Sequence, residues 1–313
     1  MFMDERVGET CGPSPPVVSI EDVTKRYPGR VAVEKLSLTV LAGQVLGLVG
    51  ANGGGKTTTL RILAGILRAD EGRGQVLGID LLRGTREIRG RVGYMPQRFS
   101  LYADLSVFEN LFFRAKVYGL DQPRVVAEAA ICDFELSQYA RSAARQLSGG
   151  WARRLQLAAA LIHSPRLILL DEPTAGLDVA SRQEVWRRIS CLSTQGAGVI
   201  ISTHDLGEAE RCSLAALLAD GRIVAVGTPE HIARSAPAAA FVLSGAKARL
   251  LERSVEAVTG VIASYPQGPG LRIVADPQAQ QDLHRVAKVN HASLDSAAMR
   301  LEDAVLTFSA RRS

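Results

Sequence analysis

The sequence predicts an α/β fold, and three observations lead to this prediction. Short apolar segments typical of strands, such as Val45–Val49 and residues 167–170, alternate with segments whose apolar residues recur at helical spacing. A glycine-rich loop at residues 50–57 joins one of these strands to a helix. Two carboxylates, Asp171 and Glu172, come directly after another strand. Ligands of α/β proteins bind at the carboxyl ends of strands, so the functional site is expected there.

The order of the elements supports this reading. Apolar or alternating runs predict strands at residues 17–20, 36–40, 45–49, 76–79, 92–95, 167–170, 198–202, 215–218 and 222–226. A helix is predicted at 57–67. Residues from about 106 to 145 are rich in Ala, Arg, Glu and Leu, and predict a helical insertion. Asp178 is the expected N-cap of a helix that starts at Val179.

The pattern changes again beyond residue 236. A helix is predicted at 247–258, a hairpin at 261–275 around the Pro-Gly-rich residues 266–270, and two further helices, the last over about 294–308. The predicted organisation is a flexible tail at 1–16, a main domain at 17–236 with a helical subdomain at about 100–165, and a C-terminal α+β extension at 237–313.

Composition excludes several classes of function. The apolar runs are shorter than the roughly 18 residues that cross a bilayer, and no signal peptide is evident. The four cysteines, Cys11, Cys132, Cys191 and Cys212, form no metal-binding or disulfide pattern, which favours a reducing compartment. The formal net charge of +5 comes from dispersed basic residues, which gives no reason to expect nucleic acid as a partner.

The loop Gly50-Ala51-Asn52-Gly53-Gly54-Gly55-Lys56-Thr57 fits the phosphate-binding pattern G-x-x-x-x-G-K-[ST]. Its glycines let backbone N–H groups approach an anion, and the following helix adds a partial positive charge. Lys56 is expected to reach the β- and γ-phosphates of a nucleoside triphosphate, and Thr57 to bind Mg²⁺. Thr58 is expected to assist through its backbone. The residues predicted to contact nucleotide here are Gly50, Asn52, Gly53, Gly54, Gly55, Lys56, Thr57 and Thr58.

Asp171 and Glu172 are the predicted catalytic carboxylates. Asp171 is expected to hold Mg²⁺ directly or through water, and Glu172 to act as general base on the attacking water. The alternative is that the pair only caps the next helix, but Asp178 is the better cap.

With these motifs in their order, the chain resembles the nucleotide-binding subunit of an ABC transporter over about residues 17–229. The resemblance implies an ABC ATPase fold: a P-loop NTPase core of mixed sheet, an antiparallel β subdomain and a helical subdomain. It implies that Tyr27 stacks on adenine, that Gln97 contacts Mg²⁺ and senses the transmembrane partner, and that His204 lies near the γ-phosphate. Leu147-Ser148-Gly149-Gly150 matches the signature motif, and Ala175-Gly176-Leu177-Asp178 matches the loop that links two sites.

Ser148, Gly149 and Gly150 are expected to open a helix whose free N–H groups face an anion. In this family the anion is the γ-phosphate bound by a second subunit, so the resemblance implies an ATP-sandwiched homodimer. The chain departs from the family pattern at Trp151, where Gln is usual, and at Ala51 and Gly54 in the phosphate loop.

Three features bear on the kind of ABC protein. Only about ninety residues separate Lys56 from Ser148, too few for the coiled coils of ABC proteins that act on DNA. Residues 98–110 and Leu301-Glu302-Asp303-Ala304-Val305-Leu306 resemble ATPases that pair with ABC-2-type export permeases. The expected function is ATP hydrolysis that powers export of a drug-like or lipid-like substrate through a separate permease, at the cytoplasmic face of the membrane. The alternative is a soluble ABC ATPase that remodels a protein or ribosomal complex.

Overall fold

A computed structural model describes residues 15–245 and 248–310. The predicted tail therefore lies largely outside the described residues, as does Cys11. The strands are β1 Val18–Tyr27, β2 Arg30–Val40, β3 Val45–Val49, β4 Glu71–Val76, β5 Ile79–Asp80, β6 Val92–Met95, β7 Leu167–Asp171, β8 Gly198–Thr203, β9 Leu214–Ala219, β10 Arg222–Gly227, β11 Ala239–Ser244, β12 Val261–Gln267, β13 Gly270–Ala275 and β14 Ser293–Ala297.

The α-helices are α1 Lys56–Leu63, α2 Thr85–Arg91, α3 Val107–Val117, α4 Pro123–Asp133, α5 Gly149–Leu161, α6 Val179–Thr194, α7 Leu206–Ala209, α8 Pro229–Ser235, α9 Glu252–Glu256, α10 Gln280–Val289 and α11 Leu301–Ala310. The described residues divide into two compact units. The first unit contains residues 15–45 and 57–202, and the second contains 46–56, 203–245 and 248–310.

The first unit contains an antiparallel sheet and a set of parallel strands. The antiparallel sheet has the order β2-β1-β4-β5, and Val18 of its central strand pairs with Val40 and with Val76. In the parallel set β7 lies between β6 and β8, and all five of its residues are buried. A strand buried on both faces explains why 167–170 is a continuous apolar run.

The predicted helical insertion consists of α3 and α4, followed by two short 3₁₀ turns that lead to α5. Ser106 caps α3 in a capping box: its hydroxyl accepts from the Glu109 N–H, and the Glu109 carboxylate accepts from the Ser106 N–H. Buried Asn110 of α3 binds the backbone of Tyr102, in the loop before the helix, through both its amide oxygen and its amide nitrogen. The entrance to the insertion is therefore fixed by local polar contacts.

The second unit is built around β9, which pairs in parallel with β3 and in antiparallel with β10. The chain then continues through α8 into the C-terminal extension. There the strands β12-β13-β11-β14 form an antiparallel sheet, with helical connections after β11 and β13. This is the split β-α-β arrangement of ferredoxin-like folds. One apolar core of the extension includes Phe241, Leu271 and Leu283.

Three local predictions were wrong. Residues 76–79 form a turn between β4 and β5, because Leu77 and Gly78 have positive φ angles of 52° and 77°. The helix predicted at 57–67 ends at Leu63, before Gly65 with φ 66°. The last helix does not begin near Leu294 but at Leu301, because residues 293–297 pair with β11 as strand β14.

The helix predicted at 247–258 is divided into a 3₁₀ turn at Ala248–Leu251 and α9, and Lys247 lies outside the described residues. Among the described residues, no helix has both the length and the apolar character needed to cross a bilayer. The cysteines that the structure describes, Cys132, Cys191 and Cys212, are free thiols.

Candidate nucleotide site

The phosphate loop follows buried strand β3 in the second unit, and glycine is required at several of its positions. A Cβ atom on Gly50 would lie 2.2 Å from the carbonyl oxygen of Leu218, so no side chain fits there. Gly53 and Gly55 adopt φ angles of 83° and 100°, a region that glycine enters without strain. At Gly54, where the family usually has Ser or Ala, a Cβ would lie 3.1 Å from the Ala51 carbonyl oxygen. A side chain at this position would require the Ala51 carbonyl to shift by a few tenths of an ångström.

Lys56 begins α1 and is buried, with 6% of its surface exposed. Its ammonium group donates hydrogen bonds to the carbonyl oxygens of Gly50 at 2.7 Å and Ala51 at 3.0 Å. The positive charge is thus held against the loop by backbone dipoles. A buried ammonium beside a glycine-rich backbone is suited to binding an anion.

Asp171 ends β7 in the first unit, and two hydroxyl groups bind one of its oxygens. Oδ1 accepts a hydrogen bond from Ser202 Oγ at 2.6 Å and from Thr57 Oγ1 at 3.1 Å. Oδ2 is buried, and no hydrogen-bond partner lies beside it among the described residues. A buried carboxylate oxygen without a hydrogen bond, beside a threonine hydroxyl, fits a hard cation such as Mg²⁺. The resemblance implies Gln97 as a third oxygen donor to this ion, and that role stays a prediction.

Glu172 is buried at 8% exposure and has a left-handed backbone, with φ 48°. Its N–H donates to Ser202 Oγ at 2.9 Å, which anchors this unfavourable conformation. Its side-chain Oε2 accepts a hydrogen bond of 2.8 Å from Gln97 Nε2. The structure therefore brings together four of the predicted residues, Thr57, Gln97, Asp171 and Glu172, by direct contacts or through Ser202.

Two residues of this site were missed by the sequence analysis. Ser202 ends β8, the strand beside β7, and its hydroxyl serves both Asp171 and Glu172. Arg153 of α5 donates to the carbonyl oxygens of Pro96 at 3.3 Å and Glu172 at 3.4 Å. Burial lowers the pKa of Arg153, and the nearby Glu172 and Asp171 carboxylates oppose that shift. Strand order could have indicated Ser202, whereas no local signal indicates Arg153.

Arg153 links α5 to the backbone of Glu172, the predicted general base. It belongs to the same helix that Ser148 begins, and it contacts the segment containing Gln97 as well as Glu172. A movement of α5 would therefore shift the segments that contain Gln97 and Glu172.

Ser148 is the N-cap of α5, and its side chain makes no capping hydrogen bond. Ser148 and Gly149 are exposed. Trp151, in the first turn, packs against Tyr139 with ring centroids 4.8 Å apart, and the Arg154 guanidinium lies 4.7 Å from its ring centroid. The unusual Trp151 is thus anchored within the helical region beside the signature.

The remaining predicted residues have these positions. Tyr27 ends β1 and is half-buried, with the Arg30 guanidinium 5.7 Å from its ring centroid. Exposed Asp178 caps α6 by accepting from the Ser181 N–H at 2.9 Å, and this backbone hydrogen bond lowers its pKa. His204 directly follows β8, belongs to the second unit and is exposed. The roles expected for Tyr27, Asp178 and His204, like those of Asn52 and Thr58, stay predictions.

Among the histidines outside the predicted site, His163 is notable for its surroundings. Its ring stacks on Tyr118 with centroids 3.8 Å apart. Burial is the main reason that its pKa falls to about 4, and the charge of Arg114 adds to the shift. His163 is therefore a neutral packing residue at ordinary pH.

Comparison with known proteins identifies the family. The sequence profile of the family described as ABC transporter matches residues 33–175. YbhF of Escherichia coli K12, a probable multidrug ABC transporter ATP-binding protein, is 33% identical over 298 residues, which is 93% of this chain and 51% of that protein. The chain thus spans about half the length of this relative. The Nod factor export ATP-binding protein I of Ralstonia nicotianae is 38% identical over 222 residues, covering 70% of this chain and 69% of that protein.

Solved structures give the same result. An ATP-binding subunit of an ABC transporter matches with a TM-score of 0.64 and 29% identity, over 70% of this chain and 92% of that chain. The dimeric cassette MJ0796, in a post-hydrolysis state bound to ADP and Pi, matches with a TM-score of 0.64 and 26% identity, over 67% of this chain and 98% of that chain. The predicted α/β P-loop fold is confirmed. The chain belongs to the family of ABC transporter ATP-binding proteins and carries the ATPase domain of that family.

Proposed function

We propose that this chain is the ATP-hydrolysing subunit of an ABC-2-type exporter, and that it works with a separate membrane permease. The observation that carries the catalytic part of the proposal is the arrangement around Asp171. One oxygen of this buried carboxylate is fixed by Thr57 and Ser202, the other has no hydrogen bond among the described residues, and Glu172 follows directly. Such a group suits a metal–nucleotide complex with a general base beside it.

The chemistry follows from these contacts. Thr57, Asp171 and Gln97 would hold Mg²⁺, which neutralises phosphate charge when it is bound. Glu172 accepts a proton from the attacking water, and the hydrogen bond from Gln97 Nε2 holds the glutamate in place. Lys56 and the N–H groups of the phosphate loop bind the β- and γ-phosphates. Tyr27 stacks on the adenine, and His204 lies close to the γ-phosphate.

A second copy of the chain completes the reaction centre in this proposal. The N-terminus of α5 is exposed at Ser148 and Gly149, so its N–H groups are available to an anion. The matched cassette MJ0796 is dimeric. Charge stabilisation supplied in trans is worth about 10³ to 10⁵ in rate in related phosphoryl transfers. We therefore assign Ser148, Gly149, Gly150 and Asp178 to the nucleotide bound by the other protomer.

The permease is the proposed membrane partner, and the chain is proposed to lie at the cytoplasmic face of the membrane. Phe99 and Tyr102, which follow Gln97, are exposed together with Phe113 and Val117 of α3. Tyr102 and Phe113 contact each other edge to face, with centroids 5.2 Å apart. Exposed apolar side chains in contact, like this pair, are typical of a protein-binding surface. The relatives named for multidrug transport and Nod factor export support the export direction and a drug-like or lipid-like substrate.

Glu172→Gln tests the catalytic assignment. We expect this variant to bind MgATP as the wild type does and to form a dimer with ATP, since Gln keeps the shape of Glu but is a far weaker base. Its turnover should fall about 10²- to 10⁴-fold. ATPase rates, calorimetric ATP affinity and size-exclusion chromatography give the three readouts, with Glu210→Gln, an exposed glutamate, as the matched control.

Lys56→Ala should instead lose ATP binding itself. Undiminished hydrolysis by Glu172→Gln would remove Glu172 from the role of general base. For the transport assignment, the chain should co-purify from membranes with a polytopic protein. Co-purification with ribosomes in place of such a protein would favour the remodelling alternative.

A further inference from the structure

The phosphate loop rests on the carboxyl end of β9. Val49, the residue before the loop, pairs with Leu217, and the carbonyl oxygen of Leu218 occupies the space that a side chain on Gly50 would need. Just beyond β9, the Gly221 N–H donates a 3.3 Å hydrogen bond to the carbonyl oxygen of Gly54. A displacement of β9 would therefore displace the loop.

β9 is in turn packed by the C-terminal part of the chain. One buried apolar cluster contains Val49 and Leu217, Ile232 of α8, and Leu301 and Ala304 of α11. α8 packs against β9 and β10, and α11 packs against α8. Close-packed interiors transmit small shifts, since few voids exist to absorb them. α11 thus forms the far side of the core that supports the phosphate loop.

α11 is also bound tightly to the sheet of the extension. Asp303, whose side chain is fully buried, forms an ion pair with buried Arg272 of β13. The Asp303 carboxylate also accepts 2.7 Å hydrogen bonds from the Tyr265 hydroxyl of β12 and the Arg300 N–H. One face of α11 therefore contacts the extension sheet, while Leu301 and Ala304 belong to the cluster beneath the loop.

We propose that the C-terminal extension sets the position of the phosphate loop through α11, and that Leu301 is a positioning residue for ATP binding. The proposal rests on the nucleotide-binding role proposed above. It gives the extension a function in this chain: any partner that shifts the extension sheet changes the affinity for ATP, and ATP changes the affinity for that partner by the same factor.

The test compares two buried leucines of the extension. Leu301 is 2% exposed and belongs to the cluster with Val49, whereas Leu283 of α10 is 1% exposed and belongs to the separate core of the extension. Leu301→Ala and Leu283→Ala remove the same atoms from these two cores. The affinity for Mg-AMP-PNP, measured by calorimetry on the full chain at a temperature where circular dichroism shows each variant folded, is the readout.

We expect Leu301→Ala to raise the Kd for Mg-AMP-PNP about tenfold, Leu283→Ala to change it less than about twofold, and Leu301→Met to restore it. If Leu301→Ala does not fold, Leu301→Val and Leu283→Val give the same comparison, with an expected increase of about threefold for Leu301→Val alone. Unchanged affinity in the Leu301 variants, or equal weakening in both pairs, would overturn the proposal. Failure of the wild type to bind Mg-AMP-PNP would instead count against the proposed function.

Discussion

Replacing Asp303 with alanine should destabilise the C-terminal extension strongly, because it leaves a buried cation without its anion. Asp303 Oδ1 accepts from Tyr265 Oη at 2.7 Å and Arg272 Nε at 2.9 Å, and Oδ2 accepts from the Arg300 N–H at 2.7 Å. After the substitution, Arg272, only 1% exposed, keeps the carbonyl oxygen of Ala298 at 2.6 Å as its partner. Because Arg272 is almost fully buried, bulk solvent does not replace the lost carboxylate.

The size of the effect follows from burial. Removing one partner of a buried ion pair typically costs about 3–5 kcal/mol, a large part of the roughly 5–15 kcal/mol that stabilises a domain. The exposed pair of Arg234 and Glu230, 3.7 Å apart, gives a control, and Glu230→Ala should cost at most about 1 kcal/mol. Urea unfolding followed by circular dichroism measures both losses.

A double variant separates the loss of the ion pair from the cost of leaving Arg272 charged and buried without a carboxylate. Arg272→Met with Asp303→Leu removes both charges, and we expect it to be more stable than Asp303→Ala, since apolar replacements of a buried pair are often nearly neutral. A loss below about 1 kcal/mol for Asp303→Ala would refute the reasoning, because it would mean that Arg272 finds solvent.

Acid should weaken the same pair only at low pH. Burial raises the pKa of Asp303, but the hydrogen bonds from Arg272, Arg300 and Tyr265 outweigh it and hold the pKa below the ordinary value of 3.8. The stabilisation is therefore present above that value and is lost as the pH falls through the lower pKa of the folded state.

Two further predictions concern the first unit. Burial lowers the pKa of His163 from 6.5 to about 4, so between these pH values the unfolded chain binds a proton that the folded chain does not. The free energy of unfolding should therefore fall by up to about 3 kcal/mol on acidification. His163→Phe should flatten this part of the pH profile measured by urea unfolding, and an unchanged slope would contradict the assignment. Ser202→Ala removes the hydroxyl that donates a hydrogen bond to the Asp171 carboxylate and accepts one from the Glu172 N–H. It should lower kcat about 10- to 100-fold while Mg-free ATP affinity stays the same. Wild-type turnover in this variant would show that Ser202 does not position the carboxylates.

The parts of the site that sequence reasoning found depend on local patterns. The phosphate loop is a contiguous motif, and Asp171 and Glu172 follow an apolar run. Each feature can therefore be identified from a few neighbouring residues. Ser202 and Arg153 were missed because their roles come from strand order and from where α5 lies. Neither property is encoded in the residues next to them.

The fold was predictable to a similar degree. Buried strands such as β7 were found because their burial makes them uniformly apolar. β4 was missed because Gly72 and Gly74 are typical of loops. Glycine is required in this strand because β1 passes too close for a side chain: a Cβ on Gly74 would lie 2.3 Å from the Ser19 carbonyl oxygen. β14 was predicted as helix because its pairing with β11 is a long-range contact that overrides local preference.

The position of Trp151 gives this chain a natural optical signal. The sequence has two tryptophans, and the other, Trp186, belongs to α6 and is 3% exposed. In a Trp186→Phe variant, all indole emission would come from Trp151, which packs against Tyr139 and lies in the first turn of α5 after Ser148. The proposed association of two protomers around ATP could then be followed in real time by stopped-flow fluorescence, without attaching any dye.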